Sequence, residues 1–273
     1  MAYLIGDRLR VAGRTDVGCV RTLNEDFFSI DDRAGILLVA DGMGGHEAGE
    51  VASARVVDLV RSSLAKIVDS PPVSPVAAPL QPTDHDHDDP TLDEIPNPVL
   101  HMVRKALHAA NADVNLTNQD RGFENGTGMG TTVVGLWLPR FSDSPVVFHV
   151  GDSRLYLYRN PNLAQLTQDH SMYQHWLSMG KKGPRPAQNI LLQAIGPSKN
   201  FNPDVHFHQM VKGDVILLCS DGLYGMIGQD DLVRLLGKVN ESTLDEVSQE
   251  LIELAKIGGG KDNITLIVGI FVR

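Results

Sequence analysis

The acidic residues most able to do chemistry stand at the ends of apolar runs. Asp41 closes ILLVAD (36–41), Asp152 closes VVFHVGD (146–152) and Asp221 closes VILLCSD (215–221). Asp262 stands just before the last run, ITLIVGIFV (264–272), and Glu25 with Asp26 opens an earlier one. One such residue alone reads as a turn or cap, because Asp bonds nearby backbone readily. Several carboxylates gathered at one edge repel one another and resist ionisation unless a cation sits among them. The set is all oxygen, with no cysteine or histidine at metal spacing, so it points to a hard ion, Mg²⁺ or Mn²⁺, rather than zinc.

The stretch VADGMGGHEAGE (39–50) tests a rival chemistry. A glycine-rich turn that opens a helix often cradles phosphate, but the P-loop pattern needs a lysine followed by Ser or Thr, and GGHEAGEVA has none. The turn suits a cation better: Asp41 supplies a carboxylate, and Gly42, lacking a Cβ, lets its carbonyl approach an ion. Gly44 and Gly45 read as a tight strand-to-helix turn.

The elements that position these residues follow from periodicity. Runs 36–41, 131–138, 146–152, 215–221 and 264–272 read as buried strands. Residues 47–68 place Val51, Ala54, Val57, Val60, Leu64 and Ile67 at helical spacing, and 99–116 does the same. A third helix, Leu244–Ile257, stops at the glycines 258–260. The segment pairs 26–31 with 36–41 and 146–152 with 155–158 are too close for a crossover helix, so both are expected as hairpins in largely antiparallel sheets. An α+β layered domain follows. Residues 70–98, rich in proline and acid, read as a flexible loop between two helices, and DHDHDD (84–89) within it as a solvated acidic tract.

Bulk properties narrow the function further. The formal charge of −10 over 273 residues argues against a nucleic-acid partner. Cys19 and Cys219 are the only cysteines, and the N-terminus has no secretory pattern, so a reducing, cytoplasmic setting is expected. No apolar stretch approaches the roughly 20 residues that cross a bilayer, so membrane insertion is not expected.

Eight motifs then stand in one order: RTLNED (21–26), VADGMGGH (39–46), GMGTTVV (128–134), VGDSRLYLY (150–158), LTQDHS (166–171), LLQAIG (191–196), LLCSDGL (217–223) and GGKDNITLIV (259–268). In this the chain resembles the metal-dependent Ser/Thr protein phosphatases, the PPM or type 2C family, in its compact bacterial form. The resemblance implies an α-β-β-α four-layer sandwich, two mainly antiparallel sheets face to face with helix pairs outside, as a single domain over 1–273. It implies a metal-dependent hydrolase that removes phosphate from serine and threonine by means of a water acidified between two Mn²⁺ or Mg²⁺ ions. By position, Asp41 matches the bridging ligand, Asp221 and Asp262 further ligands of one ion, and Glu25 with the Gly42 carbonyl those of the other. Asp26 and Asn263 match neighbours that orient water, and Arg21 matches the arginine that grips the substrate phosphate. Residues 172–189 fill the place of a flap and carry Lys181, Lys182 and Arg185. Expected partners are phosphorylated proteins and a cognate kinase, since stand-alone bacterial members usually oppose a Hanks-type Ser/Thr kinase.

Two departures bear on mechanism. Met43 follows Asp41-Gly42 where the animal branch has a histidine, which leaves His46 or a water on the cations as the acid for the leaving oxygen. Asp152 matches a ligand of a weaker third ion, whose partner acid is replaced here by Gly225; the alternative for Asp152 is a turn bonded to Arg154 or backbone. A serine esterase built on GDS (151–153) lacks a histidine after His208, and a cysteine phosphatase lacks the required arginine, since Cys19 meets Glu25 and Cys219 meets Gly225. The non-enzymatic alternative is an inactive phosphatase-fold module that binds phosphoproteins or a signalling partner.

Overall fold

The central strands are buried on both faces, which is why they read as unbroken apolar runs rather than as alternating ones. The computed structural model describes residues 2–44, 48–68 and 97–273. One sheet runs in the order β1 (Ala2–Ile5), β2 (Leu9–Asp16), β12 (Ile264–Phe271), β11 (Val215–Cys219), β8 (Arg154–Arg159), β9 (Asn162–Gln165). The other runs β10 (Asp204–Phe207), β7 (Val146–Val150), β6 (Val133–Trp137), β4 (Ile36–Met43), β3 (Asp26–Asp31), with β5 (Gly130–Thr131) paired to β4. Neighbours in both sheets are antiparallel.

Each face of a strand serves a different layer. From β4, Leu37 and Val39 enter the core between the sheets, where they join Val11, Val134, Ile216 and Ile267. Ile36, Leu38 and Ala40 face the other way, onto α1 (Gly49–Val68) and α2 (Pro98–Asp120). On the opposite surface α4 (Asp221–Tyr224), α5 (Gln229–Leu236) and α6 (Leu244–Ile257) cover β11 and β12 through Leu223, Leu235, Leu251, Leu217 and Leu266. The expected α-β-β-α sandwich is therefore what forms, and α6 takes the bounds read from its periodicity.

Three expectations need correction. Segments 146–152 and 155–158 do not make a hairpin, because β7 and β8 belong to different sheets and Gly151, at φ +100°, turns the chain across the sandwich. Both strands already have neighbours on each side, so pairing with each other is not open to them. On α1 the buried stripe runs through Ala52, Val56, Val57, Val60 and Leu64, while Val51 faces solvent. Helix α2 continues past 116 to Asp120, and in this added turn Asn118 is buried and bonds the backbone of Met129. The 70–98 loop lies outside the described residues except for Asn97 and Pro98, the cap and first residue of α2. Among the described residues no helix is long and apolar enough to cross a membrane.

Candidate active site

Hairpin β3–β4 sets the geometry by register: Asp26 stands opposite Asp41, and Gly42 N–H donates to the Glu25 carbonyl at 3.1 Å. Asp41 is fixed at its backbone, its carbonyl accepting from Thr132 N–H at 2.9 Å and Thr131 Oγ1 at 2.8 Å. Asp221 begins α4 directly after β11, and Asp262 precedes β12, its neighbour in the sheet. The result is a cleft of about 280 Å³ lined by Glu25, Asp41, Asp152, Asp221 and Asp262, with Arg21 at its rim and Gly42 in its floor.

Close approach explains two glycines. A Cβ on Gly42 would lie 2.2 Å from the Gly49 carbonyl oxygen and 2.5 Å from that of Glu25. One on Gly49 would lie 2.2 Å from Glu25 Oε1, so the first residue of α1 is the surface against which the Glu25 carboxylate rests. No signal in the sequence distinguishes Gly49 from any other glycine near a helix start.

Burial and mutual repulsion dominate the electrostatics. Desolvation first, then the neighbouring Asp26 and Asp221, hold Asp41 well above the usual carboxylate range. Asp221 is raised by burial and by Asp262. Asp152 is pushed up to about 7 by burial, then by Asp221 and Asp169. Asp26 lies behind the cleft wall, accepts from Ser220 Oγ at 2.7 Å, and is also pushed up to about 7, chiefly by burial. Among the described residues Arg21 is the one cationic side chain lining the cleft; it is exposed and donates to Asp262 at 2.8 Å. So much negative charge against one exposed guanidinium is a donor set that fits divalent cations, all oxygen and short of positive charge.

The remaining expected residues are placed as follows. Asn263 lines the cleft, but its side chain ties down the loop that carries Arg21 and Glu25: Oδ1 accepts from Glu25 N–H at 2.8 Å, and Nδ2 donates to the carbonyls of Val17 at 3.0 Å and Leu23 at 2.9 Å. The Asp152 carboxyl lines the cleft while Arg154 turns away, gripping Asp169 through two bonds of 2.9 and 2.6 Å and stacking 3.6 Å above Tyr224. Gly225 ends α4 with its N–H on the Asp221 carbonyl and brings no acid to Asp152. His46 lies outside the described residues, as does the 84–89 tract.

The segment expected as a flap opens with a helix the sequence reading missed, α3 (Met172–Ser178), capped by Ser171 Oγ. A bridge between Ser171 and Leu191 closes its base. His170 joins that base to the Asp152 turn, donating its N–H to the Gly151 carbonyl at 2.9 Å and accepting Gly151 N–H on Nδ1 at 3.2 Å. Its ring stacks on buried His149, with Nε2 3.4 Å from Asp204. The signal that could have found it is LTQDHS itself, a motif with no catalytic assignment. Lys181, Lys182 and Arg185 of the flap are exposed, and Arg185 sits over the Tyr173 ring.

An acid cluster with one arginine at one end of a two-sheet sandwich fits a metal-dependent phosphoryl hydrolase. Comparison with known proteins makes that specific. The protein phosphatase 2C family model matches residues 20–255. Serine/threonine phosphatase stp of Listeria monocytogenes is 34% identical over 263 residues, covering 93% of each chain. Among solved structures, Stp1 of Staphylococcus aureus superposes with a TM-score of 0.77 at 29% identity, over 98% of this chain and 97% of that one. The catalytic domain of the phosphatase PstP, solved with two manganese ions, superposes at 0.74 with 32% identity, over 97% and 99%. The chain belongs to the protein phosphatase 2C family and is a bacterial-type serine/threonine protein phosphatase.

Proposed function

We propose that the chain hydrolyses phosphoserine and phosphothreonine on proteins with two Mn²⁺ or Mg²⁺ ions held at this sheet edge, as a cytoplasmic enzyme opposing a Ser/Thr kinase. The observation that carries the reading is the convergence of Glu25, Asp41, Asp221 and Asp262 beside Arg21 in one cleft. Asp41 would bridge the ions, Asp221 and Asp262 would complete one site, and Glu25 with the Gly42 carbonyl the other. Asp152 would take a third, weaker ion. Such ions supply Lewis acidity, lowering the pKa of a coordinated water and offsetting charge on phosphoryl oxygens.

The chain's own residues do the positioning. Arg21, exposed and paired with Asp262, can exchange that carboxylate for a phosphate, whose oxygens its guanidinium matches two at a time. Asn263 keeps Arg21 and Glu25 in one loop and hence in one register. Ser220 holds Asp26 behind Asp41. Residues 1–273 work as one phosphatase domain, with an insertion at about 70–98 and a flap at about 172–189. The test is turnover of a phosphothreonine peptide and of p-nitrophenyl phosphate with Mn²⁺ and again with EDTA. We expect release with the metal and loss with the chelator; release indifferent to EDTA would remove the two-ion reading.

A further inference from the structure

Beside the acidic cleft lies a second hollow of about 350 Å³, and the two share Met43, Asn189 and Leu191 as a common wall. Among the described residues no charged side chain lines it: Leu192, Pro197 and Phe201 give it an apolar surface, edged by uncharged polar groups. Leu192 is 51% exposed. Its size is within the roughly 300–1,000 Å³ of pockets that bury a ligand.

The floor of this groove is fixed. Asn111 and Asn115 on α2 donate to the carbonyls of Ser198 at 2.9 Å and Gly196 at 2.8 Å, and Gly126 N–H donates to the Pro197 carbonyl at 2.7 Å. Ile195 is bridged to Thr131, the residue whose hydroxyl holds the Asp41 carbonyl. A rigid apolar surface next to a charged reaction centre loses little freedom when it binds.

We propose that this groove binds the substrate chain beside the phosphorylated residue and selects for uncharged, aliphatic side chains there. The inference rests on the phosphatase reading, because it places the phosphate at Arg21 and leads the flanking chain across the shared wall. The occupant is a polypeptide segment, since the hollow is continuous with the site that takes the phosphorylated side chain. General electrostatics makes the opposite forecast: a chain of net charge −10 with an acidic cleft attracts basic flanks.

The experiment uses the full chain with Mn²⁺ and a set of phosphothreonine peptides that differ only in the residues on one side of the phosphothreonine, Leu-Val or Lys-Lys, made for each side. For one of the two sides kcat/KM should be about tenfold higher with the aliphatic pair, the size of discrimination a hydrophobic pocket supplies. Leu192→Glu should lower that aliphatic-to-lysine ratio by about tenfold or more, and Leu192→Ser should lower it less. Because the ratio is internal to each protein, a change in the folded fraction cancels. Turnover of p-nitrophenyl phosphate by the parent with no aliphatic preference, or a preference for lysine, would overturn the groove alone. A ratio unmoved by both variants would do the same. A parent that turns over no substrate would remove the phosphatase reading and the groove with it.

Discussion

Replacing Asp152 by Asn should stabilise the metal-free protein at neutral pH. Asp152 is 7% exposed, and its carboxyl is pushed up to about 7 by burial, by Asp221 and by Asp169. In the unfolded chain it titrates near its ordinary value of about 3.9. Because the folded pKa is the higher one, the stability this carboxyl contributes is fully present below about pH 4 and is lost as pH rises through about 7. Moving from 3.8 to about 7 corresponds to about 4 kcal/mol, at about 1.4 kcal/mol per pH unit. That is a ceiling, because side-chain rotation and entering water relieve part of it. For 273 residues unfolding at about 2.1 cal/mol/K each, 0.6 kcal/mol is worth roughly 1 °C, so the expected rise in Tm is about 2–7 °C. The assay is thermal unfolding in EDTA across pH 5 to 7.5, where the advantage of Asp152→Asn should grow with pH, and again in saturating Mn²⁺, where it should shrink. An Asn variant no more stable than the parent in EDTA at pH 7.5, or an advantage flat in pH, would refute the reasoning.

Asp41→Asn should abolish Mn²⁺-dependent turnover with the circular dichroism spectrum retained; full activity would remove its bridging role. Arg21→Ala should mainly raise KM for a phosphopeptide, and a loss confined to kcat would place the guanidinium in the transition state instead. Gly49→Ala puts a methyl against Glu25 Oε1 and should weaken Mn²⁺ binding about tenfold by titration calorimetry, the scale of a misplaced supporting group, with little change of Tm in EDTA. Unchanged affinity would separate Glu25 from the ions.

The acid cluster was legible because an acid that closes one strand lies beside an acid that opens its antiparallel neighbour, as Asp41 with Asp26 and Asp221 with Asp262 do, and because both-face burial makes the strands easy to see. What could not be read depends on the third dimension. The three residues between β7 and β8 have hairpin length, and length alone does not say that Gly151 crosses between sheets. Strand β2 was missed because Arg10 and Arg14 interrupt its apolar pattern, their heads reaching Glu241 and Asp245. Nothing in the sequence marks Asn111, Asn115 and Asn118 as buried side chains of α2 that bond the chain opposite. Ser220, Gly49 and the loop-holding Asn263 acquire their roles only from neighbours remote in sequence.

These silent residues decide how the acids behave. An acid cluster on flexible loops relieves repulsion by moving apart, and its groups keep ordinary pKa values. Here Asp41 is held by Thr131 and Thr132, Asp26 stands across from it in the β3–β4 ladder, and Asp26 is tied to Ser220, which is itself bonded by Thr265 N–H at 3.0 Å. With the backbone unable to spread, two responses remain, taking up protons or taking up cations. The raised pKa values are the first response. The second converts a destabilising arrangement into a binding site without moving the strands, so cation affinity and metal-free instability should rise and fall together across substitutions that loosen this edge.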